Sequence, residues 1–197
     1  MKFSPRIAVS ATLLSAFALS SPILDCPAQA QAASAKPNFS SKKYGFSVWF
    51  PRTPQTGQRP LNQPGFSQKT VEFFYVPLQP NAVSYTVVPL QMPREAGKQP
   101  LQSFFNGVQT GILESSNGRT VASRSLTTNG WPSRHFEWIF SSPTQTSTKP
   151  VNFVGKARLF RRGSQSFQVL AVAPAAQMTR NRAQVDKVLN SFRLEKR

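Results

Sequence analysis

The chain has 197 residues, with 24 Lys and Arg against 7 Asp and Glu, and a formal net charge of +17. A body this basic attracts anionic partners at long range, and salt weakens that attraction. Its single cysteine and single histidine exclude a disulfide framework and a zinc site built from several Cys or His ligands.

The first thirty residues have the pattern of a secretory signal peptide. A short basic start precedes an apolar run at residues 7–19, and a small-x-small pattern ends at Ala30. The run is shorter than the roughly 20 apolar residues that a membrane-spanning helix needs. We therefore expect residues 1–30 to be removed on export, with cleavage after Ala32 as the alternative.

Cys26 lies where a lipoprotein signal places its acylated residue. Asp25 precedes it, however, whereas such signals require a small residue there. We therefore expect neither a lipid nor a transmembrane anchor, and a location in the periplasm or, in a photosynthetic bacterium, the thylakoid lumen. Export argues against nucleic acid as the partner and leaves anionic lipid, envelope polysaccharide or an acidic protein surface.

Residues 31–41 show no periodicity, and we expect them to form a flexible leader before a single domain at 42–197. Residues 44–50 alternate as a half-buried strand does, with Trp49 on the face opposite Tyr44. Prolines and polar residues then predict a long loop up to residue 68.

The rest of the chain divides into alternating stretches and two helical stripes. Strands are predicted at 69–76, 82–90, 119–128, 132–140, 151–160 and 166–173. The stripes have helical spacing and consist of Leu101, Phe104, Phe105, Val108 and Ile112, and of Val185, Val188, Leu189 and Phe192.

Turn signals connect these elements into hairpins. Asn129-Gly130 is a strong hairpin turn, and residues 161–164 form another. Residues 141–150 are predicted to be a polar loop, and Thr179 is a possible N-cap of the last helix. The order is strand, hairpin, helix, two hairpins, helix, which predicts an α+β fold with an antiparallel β-sheet covered by helices.

Three stretches together resemble a known family. They are YGFSVWFP at 44–51, GWPSRHFE at 130–137 and VLNSFRL at 188–194. This layout resembles the PsbP and Mog1-like superfamily, whose members have an antiparallel sheet sandwiched by helices. Its relatives include accessory proteins of photosystem II and a small nuclear-transport factor. The resemblance therefore implies a non-catalytic binding or assembly role, and no functional residue of the family maps onto this sequence.

His135 is the one residue that suggests catalysis. It shares a strand face with Ser133 and Glu137, which makes a small envelope hydrolase the enzyme alternative. Side chains two apart on a strand are separated by about 7 Å, whereas a catalytic triad needs direct hydrogen bonds of about 3 Å. We therefore expect a solvated sheet face, with the intervening aromatic residues packed on the other side.

The sequence predicts no cofactor and no metal site, because its acidic residues are dispersed. Glu72 and Glu137 are the two carboxylates that neighbouring strands could bring together for acid–base work or cation binding. The competing expectation is that each pairs with one of the abundant arginines.

Arginines bunch at Arg158, Arg161 and Arg162, and again at Arg180 and Arg182. Guanidinium groups at a turn tip bind carboxylate or phosphate with a rigid fork. We therefore take these five residues as candidates for binding an anionic partner. The alternative is that the charge serves solubility alone.

Trp49 and Trp131 are candidate aromatic residues of an interface, because exposed Trp is a common anchor. If helices cover both faces of the sheet, Trp49 is part of the core instead. The sequence as a whole predicts an exported, monomeric protein that docks on a protein complex or a membrane-associated partner. A polyanion or lipid-surface binder is the alternative.

Overall fold

The computed structural model describes residues 36–61, 66, 68–77, 82–144 and 147–195. The predicted signal peptide, with Cys26 and both predicted cleavage sites, lies outside these residues. Across the described ranges, no helix is long and apolar enough to cross a membrane.

The described chain alternates strands with three helices. The strands are β1 Phe39–Ser41, β2 Phe46–Val48, β3 Gln55–Pro60, β4 Thr70–Val76, β5 Ser84–Gln91, β6 Arg119–Thr128, β7 Trp131–Thr144, β8 Ser147–Arg162, β9 Gln165–Pro174 and β10 Arg193–Leu194. The helices are α1 Leu101–Ser116, α2 Ala175–Arg180 and α3 Arg182–Ser191, and a 3₁₀ turn covers Ala96–Lys98.

Seven strands form one antiparallel sheet in the order β3-β4-β5-β9-β8-β7-β6. Its central pair joins β5 to β9, with Val87 opposite Val169. The remaining strands form a small sheet, β1-β2-β10, in which β2 lies between the two ends of the described chain. The α+β class and the antiparallel sheet predicted from the sequence are confirmed.

α3 and the small sheet bury one face of the large sheet. Phe192 follows α3 directly, and its ring lies 5.4 Å from Phe46, 4.7 Å from Phe160 and 5.8 Å from Phe167, measured between centroids. All four rings are buried. The stripe predicted for the last helix is therefore the side of α3 that packs on the sheet.

α1 covers the opposite face of the sheet. Its stripe begins after Pro100 and packs against the aromatic side of β7 and the apolar side of β8. The helix ends at Asn117, which has the left-handed backbone conformation (φ 48°), and the Gly118 amide donates back to the Leu113 carbonyl. This second cluster includes Phe104, Phe105, Val108, Ile112, Phe136, Trp138 and Leu159.

The two predicted hairpin turns are present. Asn129 (φ 50°) and Gly130 (φ 81°) both have positive φ, as a type I′ turn between β6 and β7 requires. Gly163 (φ 59°) provides the same freedom between β8 and β9.

The predicted leader and two predicted loops are wrong in part. Phe39–Ser41 form β1 and pair with β2, so the ordered chain begins before residue 42. Phe39 belongs there because its ring lies 5.1 Å from Phe74 and 5.8 Å from Phe50.

The first predicted loop contains β3. In the second, residues 141–144 belong to β7 and residues 147–150 to β8. Thr179 lies inside α2, and Asn181 precedes α3.

Candidate functional site

A group of charged side chains lies on the α3 side of the large sheet, where β6, β7 and β8 run next to one another. Pairing places His135 directly opposite Arg124 on β6 and Arg158 on β8, and Glu137 opposite Lys156. We call these five residues the polar cluster. Directly opposite residues share a face of the sheet, so Arg124, His135 and Arg158 form a row across three strands.

Glu137 holds two of these residues together. Its Oε1 lies 2.9 Å from Lys156 Nζ and 3.2 Å from His135 Nε2. Burial alone would raise the pKa of Glu137, but hydrogen bonds from Lys156 and His135 outweigh it and hold the pKa below its usual value. Because Glu137 is ionised, His135 Nε2 carries the proton and donates it.

The expectation of a solvated face at His135 is wrong. His135 is 7% exposed and Ser133 is 1% exposed. Ser133 belongs to a chain of hydrogen bonds: Arg158 donates to Thr128 (2.6 Å), Thr128 donates to Ser133 (2.9 Å), and Ser133 donates to the Leu126 carbonyl (3.2 Å). The expected separation of about 7 Å also fails for one pair, because the His135 and Glu137 side chains lean together.

Two buried side-chain nitrogen atoms of the polar cluster have no hydrogen-bond partner in the described structure. They are Arg158 Nε and His135 Nδ1. Arg158 Nη2 donates to Asn190 Oδ1 on α3 at 2.9 Å. Burial, together with the nearby Arg124, lowers the pKa of Arg158 to about 10. Burial also lowers the pKa of His135 against its hydrogen bond to Glu137, and Arg158 and Arg124 lower it further.

The polar cluster does not assemble a hydrolase triad. The Ser133 hydroxyl is held by Thr128 and the Leu126 carbonyl rather than by His135. Within the residues that the structure describes, no three metal-ligating side chains lie together. Glu72 and Glu137 do not meet, because β4 and β7 are not neighbours in the sheet. Both carboxylates pair with lysines rather than arginines, and Glu72 binds Lys43 and the Tyr44 hydroxyl.

The arginines of the β8–β9 hairpin do not point freely outward as the sequence suggested. Arg161 donates to the Gln99 carbonyl at 2.6 Å and lies 5.3 Å from the Phe104 ring centroid. Arg162 donates to the carbonyls of Tyr44 (2.8 Å), Gly45 (3.2 Å) and Glu195 (2.8 Å). Arg158 is 6% exposed. These guanidinium groups connect separate parts of the fold, because backbone carbonyls accept from Arg161 and Arg162 and side-chain oxygens of Thr128 and Asn190 accept from Arg158.

Arg180 and Arg182, in contrast, are exposed on α2 and α3. Lys187 and Arg193 lie at the same end of the chain, whose acidic side chains are Asp186, 3.9 Å from Arg182, and the exposed Glu195. We call the four cationic residues the α2–α3 basic face. Sequence reasoning missed Lys187 and Arg193. The available signal for Lys187 was its position on the solvent side of the helical stripe, whereas Arg193 lies on β10, after the helix.

Trp49 is partly buried, so it is neither a free anchor nor a fully enclosed core residue. Lys187 Nζ lies 3.9 Å from the centroid of its ring, and the Trp49 amide donates to Ser191 Oγ at 2.8 Å. Trp49 is therefore attached to the α2–α3 basic face. Trp131 is also partly buried, and it packs against the hydrophobic core between the large sheet, α3 and the small sheet. Its neighbour Asn129 donates to the carbonyls of Asn190 and Phe192.

Comparison with known proteins identifies the fold. No protein-family model matches the chain, and neither does any curated protein. Among solved structures, cyanobacterial PsbP (CyanoP) from Synechocystis matches with a TM-score of 0.54 and 12% sequence identity, over 88% of this chain and 99% of that one. The chain has a PsbP/Mog1-like fold.

Two further solved structures match the chain more weakly. PA94, described as a putative regulator from Pseudomonas aeruginosa, matches with a TM-score of 0.47 and 10% identity over 72% of this chain and 97% of that one. The Ran-binding protein Mog1p from Saccharomyces cerevisiae matches with a TM-score of 0.40 and 10% identity over 72% and 96%. Identities this low establish the fold alone, so the polar cluster and the α2–α3 basic face are read from this chain's own chemistry.

Proposed function

We propose that the protein is an exported, non-catalytic binding or assembly-accessory protein that docks its α2–α3 basic face on an acidic surface of a protein complex. One observation carries this proposal. Arg180, Lys187 and Arg193 have no ion pair within the described structure, and Arg182 has only a long contact to Asp186. Such a surface keeps its charge available to a partner.

Trp49 makes a protein partner the better occupant of this face. The ring lies beneath Lys187, so a cation and an aromatic surface are adjacent. Interfaces concentrate binding energy in Trp, Tyr and Arg side chains at their centres. An anionic lipid surface, which is the alternative, attracts the charges whether or not the ring is present.

A catalytic role has less support from the geometry. The hydrolase alternative requires a nucleophile beside His135, and the nearest hydroxyl on its strand face, Ser133, is engaged elsewhere. The resemblance to binding and assembly proteins agrees with the non-catalytic proposal.

Export is tested by the mass of the protein produced in its own cell. We expect a chain that begins at Gln31, with no added lipid. A product that keeps Cys26 and carries lipid mass would overturn both the proposed location and the absence of an anchor.

Docking is tested with a charge variant and a matched control. Arg180→Gln with Arg182→Gln removes two exposed cations from the face, and Arg94→Gln with Lys69→Gln removes two exposed cations elsewhere. We expect the first pair to weaken capture of the partner from envelope extract at low salt and to flatten its salt dependence. The control pair should leave both unchanged, and equal losses from the two pairs would contradict the proposal.

Vesicles separate the two occupants of the basic face. Binding to phosphatidylcholine vesicles that contain phosphatidylglycerol, at the strength of the protein capture, would favour the lipid alternative. Replacing Trp49 with Leu distinguishes them further. It should weaken capture of a protein partner and leave electrostatic binding to vesicles unchanged.

A further inference from the structure

β6 forms one edge of the large sheet and is exposed along most of its length. It has ten residues, seven of them consecutively exposed, and within the described residues no strand lies on its outer side. Among the described strands, none pairs with the backbone amides and carbonyls of β6 that point away from β7. An exposed edge of this kind is a template for another strand.

The two edges of the sheet differ in how they are protected. The opposite edge, β3, ends in Pro60, and the Phe73 ring lies over its Gly57. Proline has no amide to donate, which blocks strand addition there. β6 has no proline, and its one irregularity is a bulge between Thr120 and Ala122 that leaves Val121 57% exposed. From Ala122 to Thr128 the pairing is regular.

Charge identifies the kind of strand that this edge accepts. β6 carries Arg119 and Arg124 and no acidic side chain. Arg124 is exposed and continues the row that contains His135 and Arg158. Within the described strands, no residue of that row is a carboxylate. Glu137 is already bound by Lys156 and His135. The next position in the row, on an added strand, would face Arg124 directly and favours a carboxylate.

We propose that the free edge of β6 binds an extended acidic segment of a partner protein as an eighth strand, with a carboxylate opposite Arg124. Backbone hydrogen bonds along residues 122–128 provide affinity, and the pairing with Arg124 selects for acidic side chains. Ala122 is small and next to Arg124 on the same face, so it leaves the guanidinium accessible. A second copy of this chain is a poor occupant, since it brings the same arginines and the same net charge of +17.

This site is separate from the α2–α3 basic face, and its test uses different residues. The probe is a fluorescein-labelled peptide in which Glu alternates with Val or Thr. Its controls are the same peptide with Gln in place of Glu, and the same peptide with alternate amides N-methylated. N-methylation removes the donors of one edge and keeps every charge, so it distinguishes strand addition from simple attraction.

We expect the acidic peptide to bind and the Gln peptide and the N-methylated peptide to bind much less. Arg124→Glu should weaken binding about tenfold, whereas the matched reversal Arg94→Glu should change it by less than about twofold. Amide hydrogen exchange should show new protection in residues 122–128 when the peptide is bound.

Three results would overturn the inference. They are equal affinity for the N-methylated peptide, equal losses from Arg124→Glu and Arg94→Glu, and protection that appears on α2 and α3 rather than on β6. Sedimentation of the protein alone supplies a fourth: a dimer that Arg124→Glu changes would assign the edge to a second copy. Failure of the α2–α3 variants leaves these measurements unaffected, so the two proposals can fail independently.

Discussion

Gly155 lies directly opposite Trp138 in the β7–β8 pair, and the indole ring occupies the place where a side chain at 155 would be. A methyl group there would meet the ring itself, because Trp138 is fully buried and cannot move aside. We expect Gly155→Ala to cost about 1–3 kcal/mol of stability through overpacking.

Gly107 gives this prediction a matched control. It lies within α1, and no atom lies within contact distance of the position where its Cβ would be. Gly107→Ala should stabilise the protein by about 0.5–1 kcal/mol, because glycine inside a helix carries an entropic cost. Urea midpoints of the two variants should therefore move in opposite directions, and a shared direction would contradict the packing described at Trp138.

His135 makes stability depend on pH. Its folded pKa is lowered from 6.5, so the unfolded chain binds more protons than the folded one between the two values. The contribution is complete above 6.5 and is lost as the pH falls through 6.5 toward the folded pKa. We expect the urea midpoint to fall over that range, and to fall less in His135→Gln, whose amide still donates to Glu137. An identical pH profile in the variant would assign the loss to other groups.

At the scale of elements, docking of α3 depends on one side of the helix. Val188 is fully buried, whereas Ala183 is exposed in the first turn of the same helix. Val188→Asp should unfold the domain, since an unpaired buried charge costs several kcal/mol and total stability is about 5–15 kcal/mol. Ala183→Asp should be nearly neutral, because a carboxylate at a helix N-terminus is favourable. Denaturation with both midpoints unchanged would show that α3 is not docked.

Elements with a regular pattern were predicted correctly, and those without one were missed. α1, α3 and the strands β4, β5, β7, β8 and β9 follow an apolar period, and β6 has the strong turn Asn129-Gly130 directly after it. β3 has none, because it consists of Gln, Thr, Gly, Arg and Pro and none of its residues is fully buried. β1 has three residues, and only Phe39 among them is apolar.

The candidate site was less predictable, because its contacts join distant residues. Arg162 meets Gly45 across 117 positions, and Trp49 meets Ser191 across 142. Local pattern places an arginine at a turn but does not say which carbonyl it reaches. The sequence predicts that His135 and Glu137 share a face of the strand. The burial of His135 depends on how α3 lies over the sheet, which the sequence does not show.

At the scale of the whole molecule, like charge opposes the compact state. With a net charge of +17, repulsion between surface cations exceeds what the few carboxylates offset. Raising NaCl toward 0.1 M, where the Debye length is about 10 Å, should therefore raise the urea midpoint. Arg94→Glu with Lys69→Glu lowers the net charge and should show a smaller rise. A midpoint that falls with salt would mean that ion pairs outweigh the repulsion.

The small sheet imposes an order of assembly on the chain. β6–β7 and β8–β9 are hairpins with two-residue turns, and β7 pairs with the next strand in sequence, β8, so these strands can pair as soon as each is made. β2 pairs with β10, and the Phe46 ring packs on the ring of Phe192. The apolar residues of β2 can therefore be buried only after the C-terminal residues have been made. β5 likewise waits for β9. The small sheet at the start of the chain therefore completes its packing only after the last residues have been made.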